Sequence, residues 1–138
     1  DTPRGYYTKK RVRNTNEGNY VSNIKLLRMS EAYLNRIEAL FNMGNTADAL
    51  IYLKEFQLNR GKTPDQTISL EKILTERQKE FFAEGQRYFD LKRNALPIVK
   101  DTNCEQNCNV PISNRLFVIP IPYYEVNINP NIKQYPDW

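Results

Sequence analysis

The first half of the chain carries apolar residues at the spacing of amphipathic helices. Between residues 28 and 43 they recur at i, i+4, i+7 and i+8, at Tyr33, Ile37, Leu40 and Phe41. This spacing predicts one helix that ends at Gly44. Asn45, three residues before Asp48, is a helix-capping residue and begins a second helix. The second buried stripe consists of Ala49, Tyr52, Leu53 and Phe56. We therefore expect a tight helical hairpin over 28–61, which Gly61 closes.

A third helical pattern follows a turn at Pro64-Asp65 and a capping serine, Ser69. Its spaced positions are Leu70, Ile73, Leu74, Arg77, Phe81 and Tyr88. The pattern predicts one long helix over 69–95, which Gly85 could bend or divide.

The two ends of the chain lack helical periodicity. Residues 1–27 mix aromatic and branched side chains with Asn and Gly, which predicts an extended lead-in. Residues 96–138 are rich in Pro and Asn, and we expect an irregular tail that packs on the helices. The apolar residues that should anchor this tail are Leu116, Phe117, Val118, Ile119, Ile121 and Trp138. With 138 residues, we expect a single domain over 1–138 that is mainly α.

Positive charge is concentrated at the start of the chain. Of the net charge of +4, residues 1–28 supply +5, from seven basic residues against Asp1 and Glu17. The basic run at 9–13 stands near Tyr6 and Tyr7, which is compatible with phosphate contact and base stacking. A solvent-exposed edge strand guarded by lysines explains the run equally well. Because no basic stripe continues along the helices, we expect no nucleic-acid partner.

The chain has no histidine, which excludes several kinds of active site. Ser-His-Asp and Cys-His nucleophiles and His-ligated metals are ruled out. No Gly-rich phosphate loop and no calcium-loop spacing occurs. We therefore expect no cofactor and no metal.

Cys104 and Cys108 lie in a polar loop with three residues between them. Two free thiols so close together would be prone to oxidation, so a disulfide between them is predicted. Metal binding would need two more soft ligands, and none is evident in the sequence. A disulfide would place the protein outside the cytoplasm.

The densest block of ionisable residues runs from 76 to 93. On one continuous helix, Arg77, Glu80, Glu84 and Arg87 share a face, and Asp90 lies three residues from Arg87 and from Arg93. One hypothesis takes Glu80 and Glu84 as the paired carboxylates of a glycoside hydrolase. However, each acid has an arginine three residues away, which lowers its pKa and removes the protonated acid that hydrolysis needs. The block is therefore interpreted as ion pairs that hold the structure together.

Parts of the sequence resemble two known families. Residues 39–50 are similar to the middle of a tetratricopeptide repeat. Three larger matches, in order over about 20–138, are to the C-terminal region of the SusD/RagB family of outer-membrane nutrient-binding lipoproteins. The matched motifs are Arg28-x-Ser30-Glu31-x-Tyr33-Leu34, Glu76-Arg77-x2-Glu80-Phe81-x2-Glu84-Gly85-x-Arg87-Tyr88-Phe89-Asp90-Leu91-x-Arg93, and Ile119-Pro120-x4-Glu125-x3-Asn129-Pro130-x3-Gln134-x-Pro136. In the family, Ala-Glu-Ala follows the first of these motifs. This chain has Ile37-Glu38-Ala39 there, with Ile37 in place of the usual alanine.

The resemblance implies tetratricopeptide-like helical hairpins and a protein several times longer than this chain. The chain begins Asp-Thr-Pro-Arg without a methionine, and we expect it to be a piece of that longer protein. The resemblance also implies a non-catalytic protein that binds starch or other glycans. Such a protein is exposed on the outer membrane, is lipid-anchored through an upstream cysteine absent from this chain, and serves a SusC-like TonB-dependent transporter.

The matched motifs belong to the scaffold of the family and carry no ligand residue with them. Outside the helices, Tyr6 and Tyr7 are the candidate sugar contacts. Replacing Arg87 or Asp90 should lower stability without altering ligand choice. Two alternatives stay open, namely a tetratricopeptide-like protein-interaction scaffold without a small ligand, and a glycoside hydrolase.

Overall fold

The computed structural model of the protein describes residues 27–100 and 103–136. These residues fall into two compact units, one up to Glu84 and one from Gly85 onward. The lead-in predicted over 1–27 lies outside the described residues except for Leu27, and Trp138 lies outside them as well. The expectation of one domain over 1–138 stays a prediction.

The first unit begins with the helical hairpin that the sequence predicts. Helix α1 spans Met29–Asn42 and helix α2 spans Thr46–Leu58. Gly44, between them, has a φ of +82°, a left-handed conformation that glycine adopts without a steric cost. The Asn45 side chain accepts a hydrogen bond from the backbone N–H of Asp48, so the predicted cap is confirmed.

Helix α3, Leu70–Glu80, completes the first unit. The Ser69 hydroxyl accepts from the backbone N–H of Lys72, as the predicted cap should. Helix α1 packs against both α2 and α3, so it is the central helix of this unit. The buried core consists of Leu34, Ile37, Leu53, Phe56, Ile73 and Phe81. Leu34 is fully buried, although the predicted stripe of α1 omitted it.

The prediction of one long helix over 69–95 is wrong. Helix α3 ends at Glu80, and helix α4 begins only at Gln86 and ends at Arg93. Ala83 and Gly85 have φ angles of +62° and +78°, which a right-handed helix cannot contain. The consequence is that Arg77 and Arg87 do not share the face of one helix.

The second unit contains α4 and several short elements. Strands β1 (Ile98–Val99) and β2 (Asn109–Val110) pair antiparallel, with Ile98 opposite Val110. A 3₁₀ turn, Arg115–Phe117, and helix α5, Tyr123–Ile128, follow. The tail is therefore less irregular than the sequence predicts.

The predicted anchors of the tail have different degrees of burial. Phe117 is 1% exposed and lies against the ring of Tyr88, so this part of the tail packs on α4 as expected. Ile119 is 82% exposed, and its predicted role as an anchor is wrong. Ile119 precedes Pro120 in a stretch without helix or strand, which proline at the next position favours.

Candidate functional site

The ionisable block of the sequence is divided between the two units. Arg77, Glu80 and Glu84 belong to the first unit, whereas Arg87, Asp90 and Arg93 belong to the second. The candidate sugar contacts Tyr6 and Tyr7 lie outside the described residues and stay predictions. Each unit therefore has polar clusters of its own.

Glu80, at the end of α3, is the centre of a cluster of two carboxylates and two guanidinium groups, here called the Glu80 hub. Arg60 Nε donates to Glu80 Oε2 at 3.0 Å, and Arg60 Nη2 donates to Glu80 Oε1 at 3.2 Å. Arg28 Nη1 lies 3.4 Å from Glu80 Oε1, and Arg28 Nη2 is 2.9 Å from Glu84 Oε1. The hub therefore connects the start of α1 and the end of α2 to the end of α3.

The hub keeps the Glu80 carboxylate ionised. Burial alone would raise its pKa, but hydrogen bonds from Arg60 and Ser30 outweigh burial, and the pKa of Glu80 lies below its ordinary value. A general acid for glycoside hydrolysis needs the opposite shift, because it must hold a proton near neutral pH. Glu80 is thus suited to an ion pair and unsuited to that catalytic role.

Arg77 is a second long-range connection, and it lies in the interior of the first unit. Only 5% of this residue is exposed, and its Nη1 donates to Asn35 Oδ1 at 2.7 Å. Its Nε lies 3.8 Å from Oε2 of Glu38, which is buried as well, and its guanidinium lies over the Phe81 ring. A buried ion pair needs further hydrogen bonds to offset desolvation, and Asn35 supplies one.

A third cluster surrounds Lys62, in the loop between α2 and α3. The Lys62 ammonium donates to Glu76 Oε1 at 2.8 Å and to Asp65 Oδ2 at 3.2 Å. The buried Gln57 amide donates to Asp65 Oδ2 at 2.7 Å and accepts from the backbone N–H of Asp65 at 2.8 Å. This network fixes the loop against both helices.

The pKa values of this cluster shift in the direction that ion pairing predicts. The hydrogen bond to Glu76 raises the pKa of Lys62, and the hydrogen bond from Gln57 lowers the pKa of Asp65. For Glu76, burial would raise the pKa, but hydrogen bonds from Lys62 and Lys79 lower it overall. The charged forms of all three groups are therefore favoured.

A cleft of about 290 Å³ opens beside this cluster. Its lining consists of Lys62, Asp65, Ser69, Glu71, Lys72, Thr75 and Glu76. The lining has no aromatic ring on which a sugar could stack. Several of its polar groups are bonded to one another, among them Lys62 with Asp65 and Glu76. Part of the polar lining of the cleft is therefore already engaged within the protein.

An aromatic cluster between α1 and α2 was not predicted from the sequence as an interacting group. The rings of Tyr33 and Tyr52 meet edge to face at 5.9 Å, and Arg36 lies 4.0 Å above the Tyr52 ring. The Tyr33 hydroxyl donates to Glu55. Burial, followed by this hydrogen bond, raises the pKa of Tyr33 to about 12. These contacts join α1 to α2, so spacing along a single helix does not indicate them.

The second unit holds Asp90 and Arg93 together on α4. Arg93 Nη2 donates to Asp90 Oδ1 at 2.9 Å, and Asp90 is buried. The Tyr88 hydroxyl donates to the backbone oxygen of Phe117 at 2.9 Å. In the tail, the side-chain amide of Gln134 makes two hydrogen bonds to the backbone of Ile121. Its Oε1 accepts from the Ile121 N–H at 3.1 Å, and its Nε2 donates to the Ile121 oxygen at 2.8 Å. Tyr88, Asp90 and Arg93 of the 76–93 motif, and Gln134 of the 119–136 motif, therefore make intramolecular contacts in the described structure.

Cys104 and Cys108 are joined as a disulfide in the structure, in the loop between β1 and β2. The backbone N–H of Lys100 donates to the Cys108 oxygen at 2.9 Å, so the bridge closes the end of the small sheet.

The described residues offer few other kinds of site. Within residues 27–100 and 103–136, no group of three or more His, Cys, Asp or Glu side chains is placed to hold a metal ion. No helix in this part of the chain is long and apolar enough to cross a membrane.

Comparison with known proteins identifies the family. The SusD family model, SusD_RagB, matches residues 1–138. The starch-binding protein SusD of Bacteroides thetaiotaomicron is 30% identical over 118 residues, which are 82% of this chain and 21% of that protein. A crystal structure of a proposed sugar-binding protein from Bacteroides vulgatus is 35% identical with a TM-score of 0.69, covering 81% of this chain and 28% of the other. The chain thus spans between a fifth and a third of these relatives, and it belongs to the SusD family.

Proposed function

We propose that this chain is the C-terminal region of a longer, non-catalytic protein that binds glycans for nutrient uptake. The proposal is supported by membership of the SusD family and by two relatives named for starch binding and for sugar binding. In this proposal the protein is lipid-anchored on the outer membrane through a cysteine upstream of residue 1. It captures oligosaccharides for a SusC-like TonB-dependent transporter.

Within that protein, these 138 residues act mainly as scaffold. The observation that carries this part of the proposal is the Glu80 hub, in which the most distinctive motif of the sequence serves intramolecular ion pairs. The buried pair of Arg77 and Glu38 has the same effect one turn earlier on α3. Side chains used in this way are not available to bind a sugar.

The same observation favours binding over hydrolysis. Because the pKa of Glu80 is lowered, this residue does not supply the proton that a departing sugar needs. Incubation with a reducing-end-labelled oligosaccharide should leave the substrate intact. Turnover that disappears in a Glu80→Gln variant would instead establish a hydrolase.

Affinity gel electrophoresis through a panel of neutral polysaccharides tests the proposal. The protein extended upstream of residue 1 should be retarded by at least one polysaccharide, and these 138 residues alone should not be. Retardation of the 138 residues that is lost in Tyr6→Ala or Tyr7→Ala variants would place a sugar site here and contradict the scaffold role. If neither form is retarded but the protein co-purifies with a membrane barrel, a protein-interaction role would replace glycan binding.

A further inference from the structure

One arginine side chain contacts the residues at which α3 ends. Arg28 Nη2 donates to the backbone oxygen of Glu80 at 3.2 Å and to Oε2 of Glu84 at 3.0 Å. Arg28 Nη1 lies 3.4 Å from Oε1 of Glu80, and the guanidinium lies 5.5 Å from the centre of the Phe81 ring. This set of contacts is here called the Arg28 clamp. It joins the residue before α1 to positions 52 and 56 residues further along the chain.

The clamp binds the backbone oxygen that an α-helix would need in order to continue. In an α-helix, the oxygen of Glu80 would accept from the N–H of Glu84, four residues ahead. Here the Glu84 N–H donates to the oxygen of Phe81 at 3.0 Å, and Arg28 donates to the Glu80 oxygen. The last carbonyl groups of a helix have no partner within the helix, and a basic side chain can supply one. Arg28 therefore caps α3 from outside the helix.

The turn beside the clamp has a backbone conformation that its own residues do not favour. Ala83 has a φ of +62°, which brings the Cβ of an L-residue close to its carbonyl oxygen. Alanine is also the residue that most favours the α-helix. A residue stays in such a conformation only where the surrounding contacts hold it there. The contacts of Arg28 to both sides of this turn, at Glu80 and Glu84, can do so.

The sequence of this region is compatible with a longer α3. Helical spacing of apolar residues continues from Leu74 through Phe81 to Tyr88, and residues 70–96 contain no proline. In a continuous helix, Glu84 would lie three residues before Arg87, so a local cation would replace Arg28 as its partner. Two backbone arrangements of residues 81–84 therefore satisfy the same side chains.

We propose that the Arg28 clamp selects between two lengths of α3. With the clamp engaged, α3 ends at Glu80 and Ala83 has a left-handed backbone. With the clamp released, the helix continues through Ala83, and the Glu80 oxygen accepts from the Glu84 N–H. Because Arg28 directly precedes α1, a displacement of the start of α1 changes the backbone at the end of α3. This device lies in the chain's own backbone and does not depend on the proposed ligand.

Crystal structures of the full-length protein, as the parent and as the Arg28→Gln variant, test the proposal. In the variant, we expect the φ of Ala83 to change from +62° to about −63°, the α-helical value. The matched control is Arg60→Gln, because both side-chain hydrogen bonds of Arg60 go to the Glu80 carboxylate. It removes one cation from the same acid but leaves the cap on the Glu80 oxygen. Ala83 should therefore keep its positive φ in the control.

Two further variants make the test independent of one substitution. If Arg28→Gln does not fold, Arg28→Lys replaces it, since a lysine keeps the charge but lacks the fork that reaches Glu80 and Glu84 together. The same change of φ is expected at Ala83. Combining Arg28→Gln with Ala83→Gly should restore a positive φ at position 83, because glycine adopts it without a steric cost and disfavours the helix.

Three results would overturn the proposal. The first is a folded Arg28 variant in which Ala83 keeps its positive φ. The second is a loss of ordered structure over 81–84 in place of a longer helix. The third is the same change of φ in Arg60→Gln, which would show that the charge around Glu80, and not the cap on its backbone oxygen, determines where α3 ends.

Discussion

The two compact units are stabilised by different means. The unit before Gly85 has a continuous apolar core of three helices and is tied together by ion pairs between residues far apart in sequence. Among the described residues from Gly85 onward, the buried apolar side chains are Leu91, Val110 and Phe117, and α5 has no buried residue. Hydrogen bonds from side chains to the backbone and a disulfide also connect parts of this unit. The proposed scaffold role therefore relies mainly on the first unit.

The largest expected effect is the loss of the first unit in acid. Asp65, Glu76 and Glu80 all have lowered pKa values and all lie in this unit. Their unfolded forms bind protons more readily than their folded forms. The stability they contribute is therefore complete above the ordinary carboxyl pKa of about 4 and is lost as the pH falls through their lowered values. Amide hydrogen exchange should show that residues 27–84 open before residues 85–136 as the pH falls.

The buried ion pair between Glu38 on α1 and Arg77 on α3 should give the largest effect of a single substitution. Arg77→Met leaves the buried Glu38 carboxylate without this guanidinium and should lower the free energy of unfolding by about 4 kcal/mol. Gln78→Met, one residue along and exposed, should change it by less than about 0.5 kcal/mol. Urea denaturation measures both, and equal small effects would contradict the importance of the pair.

Matched core truncations compare the two units directly. Leu53→Ala removes a fully buried side chain from the core of the first unit and should cost about 3 kcal/mol. Leu91→Ala in the second unit should cost about 2 kcal/mol, because fewer buried side chains surround it. A larger loss for Leu91→Ala in urea denaturation would reverse our ranking of the units.

Reduction of the disulfide should weaken the second unit by about 2 kcal/mol, the loop-closure value for so short a loop. The first unit should be unaffected, since both cysteines lie beyond Gly85. Hydrogen exchange with and without reductant reports on each unit separately. Titration of two free thiols in the native, unreduced protein would show that the predicted bridge does not form.

The helix cap of α2 should have the smallest effect. Asn45→Ala removes the acceptor for the Asp48 N–H and should cost about 1 kcal/mol. Asn59→Ala, at the other end of α2 and exposed, is the control and should change the free energy of unfolding much less. Thermal unfolding of both variants measures the difference, and an equal change in both would argue against the cap.

The sequence predicts the helical hairpin well because its signals are local. Successive apolar positions of α1 lie three or four residues apart, and each capping side chain bonds to a backbone N–H three residues ahead. The structure confirms both caps, Asn45 and Ser69. The family also follows from the sequence, since its motifs are short ordered runs of residues.

The break between α3 and α4 was only partly foreseeable. Gly85 indicated a position where the helix could bend or end. Nothing in the sequence indicated that Ala83 would adopt a positive φ. Alanine strongly favours helices, so the tertiary structure overrides its local preference here.

The ion pairs of the first unit could not be derived from the sequence. Arg28 and Glu80 are 52 residues apart, and the sequence indicated only pairs between near neighbours along one helix. Long-range partners depend on how α1, α2 and α3 pack, which side-chain patterns alone do not define. The spacing along the sequence indicated the pair of Asp90 and Arg93, which the structure contains, but it did not indicate the distant partners Arg28, Arg60 and Glu38.

The central claim is that the charged motif holds the scaffold and does not contact the ligand. Calorimetric titration of the full-length protein with the glycan that retards it, for the parent and for Glu80→Gln and Asp90→Asn, tests this claim most directly. We predict that both variants melt at lower temperature but keep the parent dissociation constant while they are folded. A dissociation constant weakened by about tenfold, or ~1.4 kcal/mol, in a fully folded variant would contradict the account.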